Sequence, residues 1–172
     1  MIGGAIAAAV LLLLLGCLAA GAAVRGGIRL ADRAEENDRA EDRLAVACLE
    51  LETRLNRLVP PGTTGGDPRR RADAVRDENT AARPLLVELE TMTTDEEHRA
   101  DRDRAEWASA WRQLIEARTS YADALERQAS AGEPAFFIAP RLPDGDDVVE
   151  ELQESGPDSC EGAIRRLGHP DL

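Results

Sequence analysis

Hydrophobic and polar residues are distributed along the chain in two distinct ways. From Ile2 to Val24 every residue is apolar or glycine, and Arg25 is the first charge. A helix of this length reaches about 34 Å at 1.5 Å per residue, enough to cross a hydrocarbon core of about 30 Å. Beyond Arg25 the apolar positions fall to one in three or four and recur at helical spacing. Gly26-Gly27 forms a joint after the run, because glycine is costly inside a helix. Leu44, Cys48, Leu51, Leu55 and Leu58 follow at intervals of 4, 3, 4 and 3, which predicts one face of a helix from Ile28 to Val59. Carried backwards, that stripe meets Leu30, Ala34, Asn37 and Glu41, so its apolar character weakens toward the N-terminus.

Pro60-Pro61 ends the first helix, and Gly62 to Pro68 reads as a loop. Ala72, Val75, Asn79, Ala82, Leu86 and Leu89 then mark a second helix, which Pro84 is expected to kink or break. Thr94 with Glu97 has the form of a capping box opening a third helix over residues 95–129. Its stripe is Ala100, Trp107, Trp111, Leu114, Arg118, Tyr121 and Leu125, with Ile115 beside it, and Gly132 closes it. Arg118 is the one charge on that face. It either snorkels to the edge of the core or serves as a ligand-binding arginine between the helices, next to Trp107 and Trp111.

After Gly132 the pattern changes again. Residues 133–143 carry three prolines around the apolar knot Phe136, Phe137 and Ile138. The knot either plugs into the bundle or stands out as a docking motif for another protein. Eight acids and no arginine follow between Asp144 and Glu161, with a short helix expected near 147–154. Asp158 is placed to cap a last helix whose face is Cys160, Ala163, Ile164 and Leu167, ending at Gly168 and Pro170. The fold class expected is therefore all-α. It comprises a single N-terminal transmembrane helix, then an antiparallel bundle of three long helices plus a short C-terminal helix. The boundaries read as 1–25 for the anchor or signal segment, 26–29 for the joint and 30–132 for the bundle. Residues 133–157 form the proline-containing acidic segment, and 158–172 the last helix.

Charge narrows the partners. The net formal charge is −12 over 172 residues, and all 21 cations are arginines interleaved with acids. Nucleic acid and anionic membrane surfaces need a basic patch, so neither is expected as a partner. Aromatics are 3% of the chain, so the core must come mainly from Leu, Ala and Val, which suits close helix packing.

The apolar run admits three fates: a retained anchor, a cleaved signal peptide, or lipid attachment. Leu14-Leu15-Gly16-Cys17 resembles the bacterial lipobox, and that resemblance implies Cys17 as a lipidation position. Arg25, Arg29 and Arg33 beyond the run favour a cytoplasmic flank by the positive-inside rule. The cysteines argue for the opposite side. Outside the run only Cys48 and Cys160 occur, each on the apolar face of an expected helix. A disulfide between them would staple the last helix to the first and would need an oxidising compartment. Alternatively both are buried thiols, or Cys48 pairs with its copy in a parallel homodimer.

Motifs for catalysis are absent: there is no phosphate-binding glycine loop, no G-x-S-x-G, no H-E-x-x-H and no C-x-x-C. His98 lies among acids in an expected first helical turn, and His169 stands beside Pro170 near the end of the chain, so no metal or cofactor is expected. The reading is a non-catalytic, membrane-anchored interaction or structural protein of the cell envelope, with an unidentified protein partner and the domain on the extracytoplasmic side. Two alternatives remain: an extracytoplasmic sensory or ligand-binding bundle, and a cytoplasmic-facing coiled-coil scaffold.

Overall fold

A computed structural model describes residues 35–92 and 99–170. The apolar run with Cys17, the joint, the expected capping box at Thr94 and His98 all lie outside the described residues. Among those residues, no helix is long and apolar enough to cross a membrane. The chain divides into two units, Met1–Ala40 and Glu41–Leu172. Of the first, residues 35–40 are described; they are helical, with Arg39 paired to Glu35 one turn away at 2.5 Å.

The second unit is a helical bundle. α1 (residues 41–55) presents Leu44, Cys48, Leu51 and Leu55 to the core, as the stripe predicts. The helix ends four residues earlier than expected. Asn56, Arg57 and Leu58 close it in tight turns onto the carbonyls of Glu52, Arg54 and Leu55. A 3-10 turn at Pro61–Thr63 and a loop with Gly65 and Gly66 at positive φ then reverse the chain.

α2 (Pro68–Met92) starts with proline at its first position, and Asp67 Oδ1 accepts from Arg69 N at 3.0 Å and Arg70 N at 3.4 Å. That satisfies two donors which a helix start leaves open. Pro84 lies inside it, so of the two expected outcomes, a kink or a break, the break does not occur. Pro84 is exposed, so the Thr80 carbonyl it leaves unbonded faces water, while Leu85 and Leu89 hold the next turns in the core. Leu85 is the residue buried there; Leu86, assigned to the stripe, is half-buried.

α3 (Arg99–Ala131) runs antiparallel to α2. Arg76 of α2 reaches Asp123 and Glu126 of α3, and Asn79 reaches Thr119. Gly132, at φ +72°, terminates α3 with its N–H bonded to the Gln128 carbonyl.

A turn with Gly145 at φ +100° and a bridge between Arg141 and Asp147 lead into α4 (Val148–Ser155). Asp147 caps α4 through Val149 N and Glu150 N, and Val148, Val149 and Leu152 face inward. The last helix begins differently from expectation. A 3-10 turn at Asp158–Cys160 precedes α5 (Glu161–Gly168), and neither start carries a side-chain cap, so Asp158 is not the expected cap. α5 instead is held by what it touches.

One such contact is close. A Cβ on Gly168 would lie 2.7 Å from Val149 Cγ1 and 3.0 Å from Cγ2, so only glycine lets α5 approach α4 here. Gly168→Ala is expected to cost about 1–3 kcal/mol in urea unfolding, from the overpacking. Adding Val149→Ala should recover part of that loss.

Candidate functional site

The core is two apolar clusters separated by a polar layer. The larger one joins α1, α4 and α5 to the Leu85–Leu89 end of α2 and the Trp107–Leu114 end of α3. The smaller one contains Ala72, Val75, Tyr121, Ala122 and Leu125, covered by Phe137. Between them, one turn from Val75 on α2 and one turn from Leu114 on α3, lie Glu78 and Arg118. Both side chains are fully buried.

Arg118 is therefore not at the edge of the core. Its Nη2 donates to Glu78 Oε2 at 2.5 Å, Nε to Asn79 Oδ1 at 2.8 Å and Nη1 to the Leu167 carbonyl at 2.6 Å. The other oxygen of Glu78 accepts from Arg166 Nε of α5 at 2.7 Å, and Arg166 Nη2 donates to the Leu58 carbonyl at 3.1 Å. One carboxylate thus holds two guanidiniums, and the three side chains tie α2, α3, α5 and the end of α1 into one layer. Burial draws the Arg118 pKa below its ordinary value; the charge and hydrogen bond of Glu78 oppose this, and Arg166 adds to the lowering. An arginine in this position stays protonated.

The two tryptophans pack edge to face, with ring centroids 5.7 Å apart and planes at 81°. Trp107 Nε1 donates to the Leu152 carbonyl at 3.2 Å, so it fixes α4 on α3. Trp111 is fully buried, and its Nε1 has no hydrogen-bond partner among the described residues. The structure thus brings Trp107 and Trp111 together in the large cluster and places Arg118 at its border, each packed against the chain's own helices.

Cys48 and Cys160 are joined in a disulfide between α1 and the 3-10 turn before α5, with Cα atoms 4.9 Å apart and a sequence separation of 112. Both are fully buried. The apolar knot is split. Phe137 packs edge to face on Tyr121, centroids 5.8 Å apart, whereas Phe136 and Ile138 are 72% and 79% exposed.

A surface cleft of about 440 Å³ between α1 and α2 is lined by Arg43, Val46, Arg54, Pro84, Leu85 and Glu88. Two ion pairs line it, Arg43 with Glu88 at 3.7 Å and Arg54 with Glu50 at 2.7 Å. No group of acids, histidines and cysteines suited to a metal occurs among the described residues.

No family model matches the chain, and neither does any curated protein or solved structure. The residues that sequence reasoning missed are Glu78 and Arg166. Arg118 was the available signal: a guanidinium on an apolar stripe needs an acid on the facing helix, and Glu78 sits beside Asn79 on the stripe that faces it.

Proposed function

We propose that this chain is a non-catalytic, membrane-tethered interaction or structural module of the cell envelope, anchored by residues 2–24, with its bundle on the extracytoplasmic side. The observation that carries the interaction role is the pair Phe136 and Ile138, exposed on either side of the half-buried Phe137, which packs on Tyr121. Isolated exposed apolar residues are ordinary, but two large ones side by side on a proline-bounded segment form a docking motif. The Cys48–Cys160 disulfide supports an oxidising location, and the apolar run supports the tether.

The ligand-binding alternative draws less support, because the Nε, Nη1 and Nη2 groups of Arg118 already donate to protein acceptors. The cytoplasmic scaffold rests on the arginine flank after the run and has the disulfide against it. Alkaline extraction of membranes, with labelling of an exposed cysteine at Gln153→Cys by a membrane-impermeant maleimide, decides between them. The expected result is a protein that stays with the membrane and labels on intact cells. Label that enters only after lysis would establish the cytoplasmic scaffold instead.

A further inference from the structure

The exposed segment reads almost the same in both directions. From Glu133 to Arg141 the sequence is Glu-Pro-Ala-Phe-Phe-Ile-Ala-Pro-Arg, centred on Phe137. The segment is neither helix nor turn up to Pro140, and burial alternates from Pro134 to Ile138, with Ala135 and Phe137 partly covered and Pro134, Phe136 and Ile138 outward; Ala139 is exposed as well. That alternation is the two-residue period of an extended strand. Among the described residues, the backbone N–H and C=O groups of residues 135–139 make no hydrogen bonds. The outward side chains are also strong strand formers.

We propose that this segment is a self-complementary edge, pairing antiparallel with the same segment of a second copy about a two-fold axis through Phe137. This rests on the interaction-module reading above and names its partner. In that register Phe136 lies opposite Ile138 of the second copy, Ala135 opposite Ala139, and Pro134 opposite Pro140. Glu133 of each chain then meets Arg141 of the other, so both ends carry an attractive pair. A parallel pairing would oppose Glu133 to Glu133 and Arg141 to Arg141. Such a symmetric contact is closed, since each copy uses the same patch. The two prolines lack an N–H and confine the ladder to five residues, which guards against extension into longer aggregates.

The contacts Glu133 and Arg141 make within their own chain are exposed ones: Glu133 lies 4.0 Å from Arg127, and Arg141 Nη1 donates to the Gly145 carbonyl at 2.8 Å. Changing them should therefore leave the fold intact, which thermal melting checks.

The test is self-association of the purified full chain in detergent micelles, followed by sedimentation equilibrium. Glu133→Arg alone and Arg141→Glu alone should each weaken self-association about tenfold or more, because two attractive cross-strand pairs become repulsive. The double variant Glu133→Arg/Arg141→Glu should restore it. An equimolar mixture of the two single variants should form the mixed dimer, since both ends are then again opposite in charge. A monomeric wild type, single variants that associate as well as wild type, or a mixture that stays apart would each overturn the pairing. Any of these results leaves the tethered-module reading standing, because labelling at Gln153 decides that separately.

Discussion

Glu78→Gln is expected to lower the unfolding free energy by about 3–5 kcal/mol, the cost of leaving buried charge without its counterion. The substitution keeps the shape of the side chain, removes its charge and turns one of its two acceptor oxygens into an amide donor that faces a guanidinium. Two guanidiniums depend on that charge: Arg118, fully buried, and Arg166, whose side chain is 20% exposed. Arg118→Met should cost less, because Glu78 then keeps Arg166 as its counterion, although Glu78 Oε2, Asn79 Oδ1 and the Leu167 carbonyl each lose a donor. Replacing all three together, Glu78→Leu with Arg118→Met and Arg166→Met, should recover most of the loss, since a buried ionic group exchanged as a whole for apolar side chains is often neutral or better. The measurement is urea unfolding at neutral pH, followed by far-ultraviolet circular dichroism. Against a domain stability of about 5–15 kcal/mol the single change is a large fraction. A loss for Glu78→Gln below about 1 kcal/mol would mean that water reaches the layer and that its charges are screened.

This layer also marks how far periodicity carries. The stripe on α3 holds at Trp107, Trp111, Leu114, Arg118, Tyr121 and Leu125, all buried, because a long helix packed on one side repeats its contacts every 3.6 residues. The two cysteines were legible for the same reason: each sat on an apolar face. Glu78 was not, because positions 78 and 79 are both compatible with the α2 stripe and a glutamate is by default assigned to solvent. Only the partner on α3 removes that ambiguity, and partners are a property of the packed structure. Pro84 shows a local rule overridden by tertiary contacts, with Leu85 and Leu89 keeping the helix together across it. In the knot at 136–138 every residue is apolar, so pattern alone could not say that the middle ring turns in and its neighbours turn out.

Removing the disulfide with Cys48→Ala/Cys160→Ala is expected to cost up to about 5 kcal/mol, the chain-entropy value for a loop of this length. The effect should be distinguishable from that of Glu78→Gln by its slope. The cross-link spans 112 residues and chiefly restricts the unfolded chain, so its loss should raise the urea m-value as well as lower the midpoint. Glu78→Gln acts on the folded state and should move the midpoint alone. Because both sulfurs are fully buried, dithiothreitol without denaturant should leave the native spectrum unchanged over the time in which it reduces the urea-unfolded protein. The two changes also converge on one element. α5 is held by the disulfide at its start, by Arg118 on the Leu167 carbonyl, and by Arg166 between Glu78 and the Leu58 carbonyl. Either change alone leaves the other attachment in place, and an eight-residue helix has no stability of its own in water. Combining them should therefore free α5 first, seen as rapid tryptic cleavage at Arg165 and Arg166 under conditions where each parent variant resists. Cleavage no faster than in the parents would show that Ala163, Ile164 and Leu167 hold α5 by apolar contact alone.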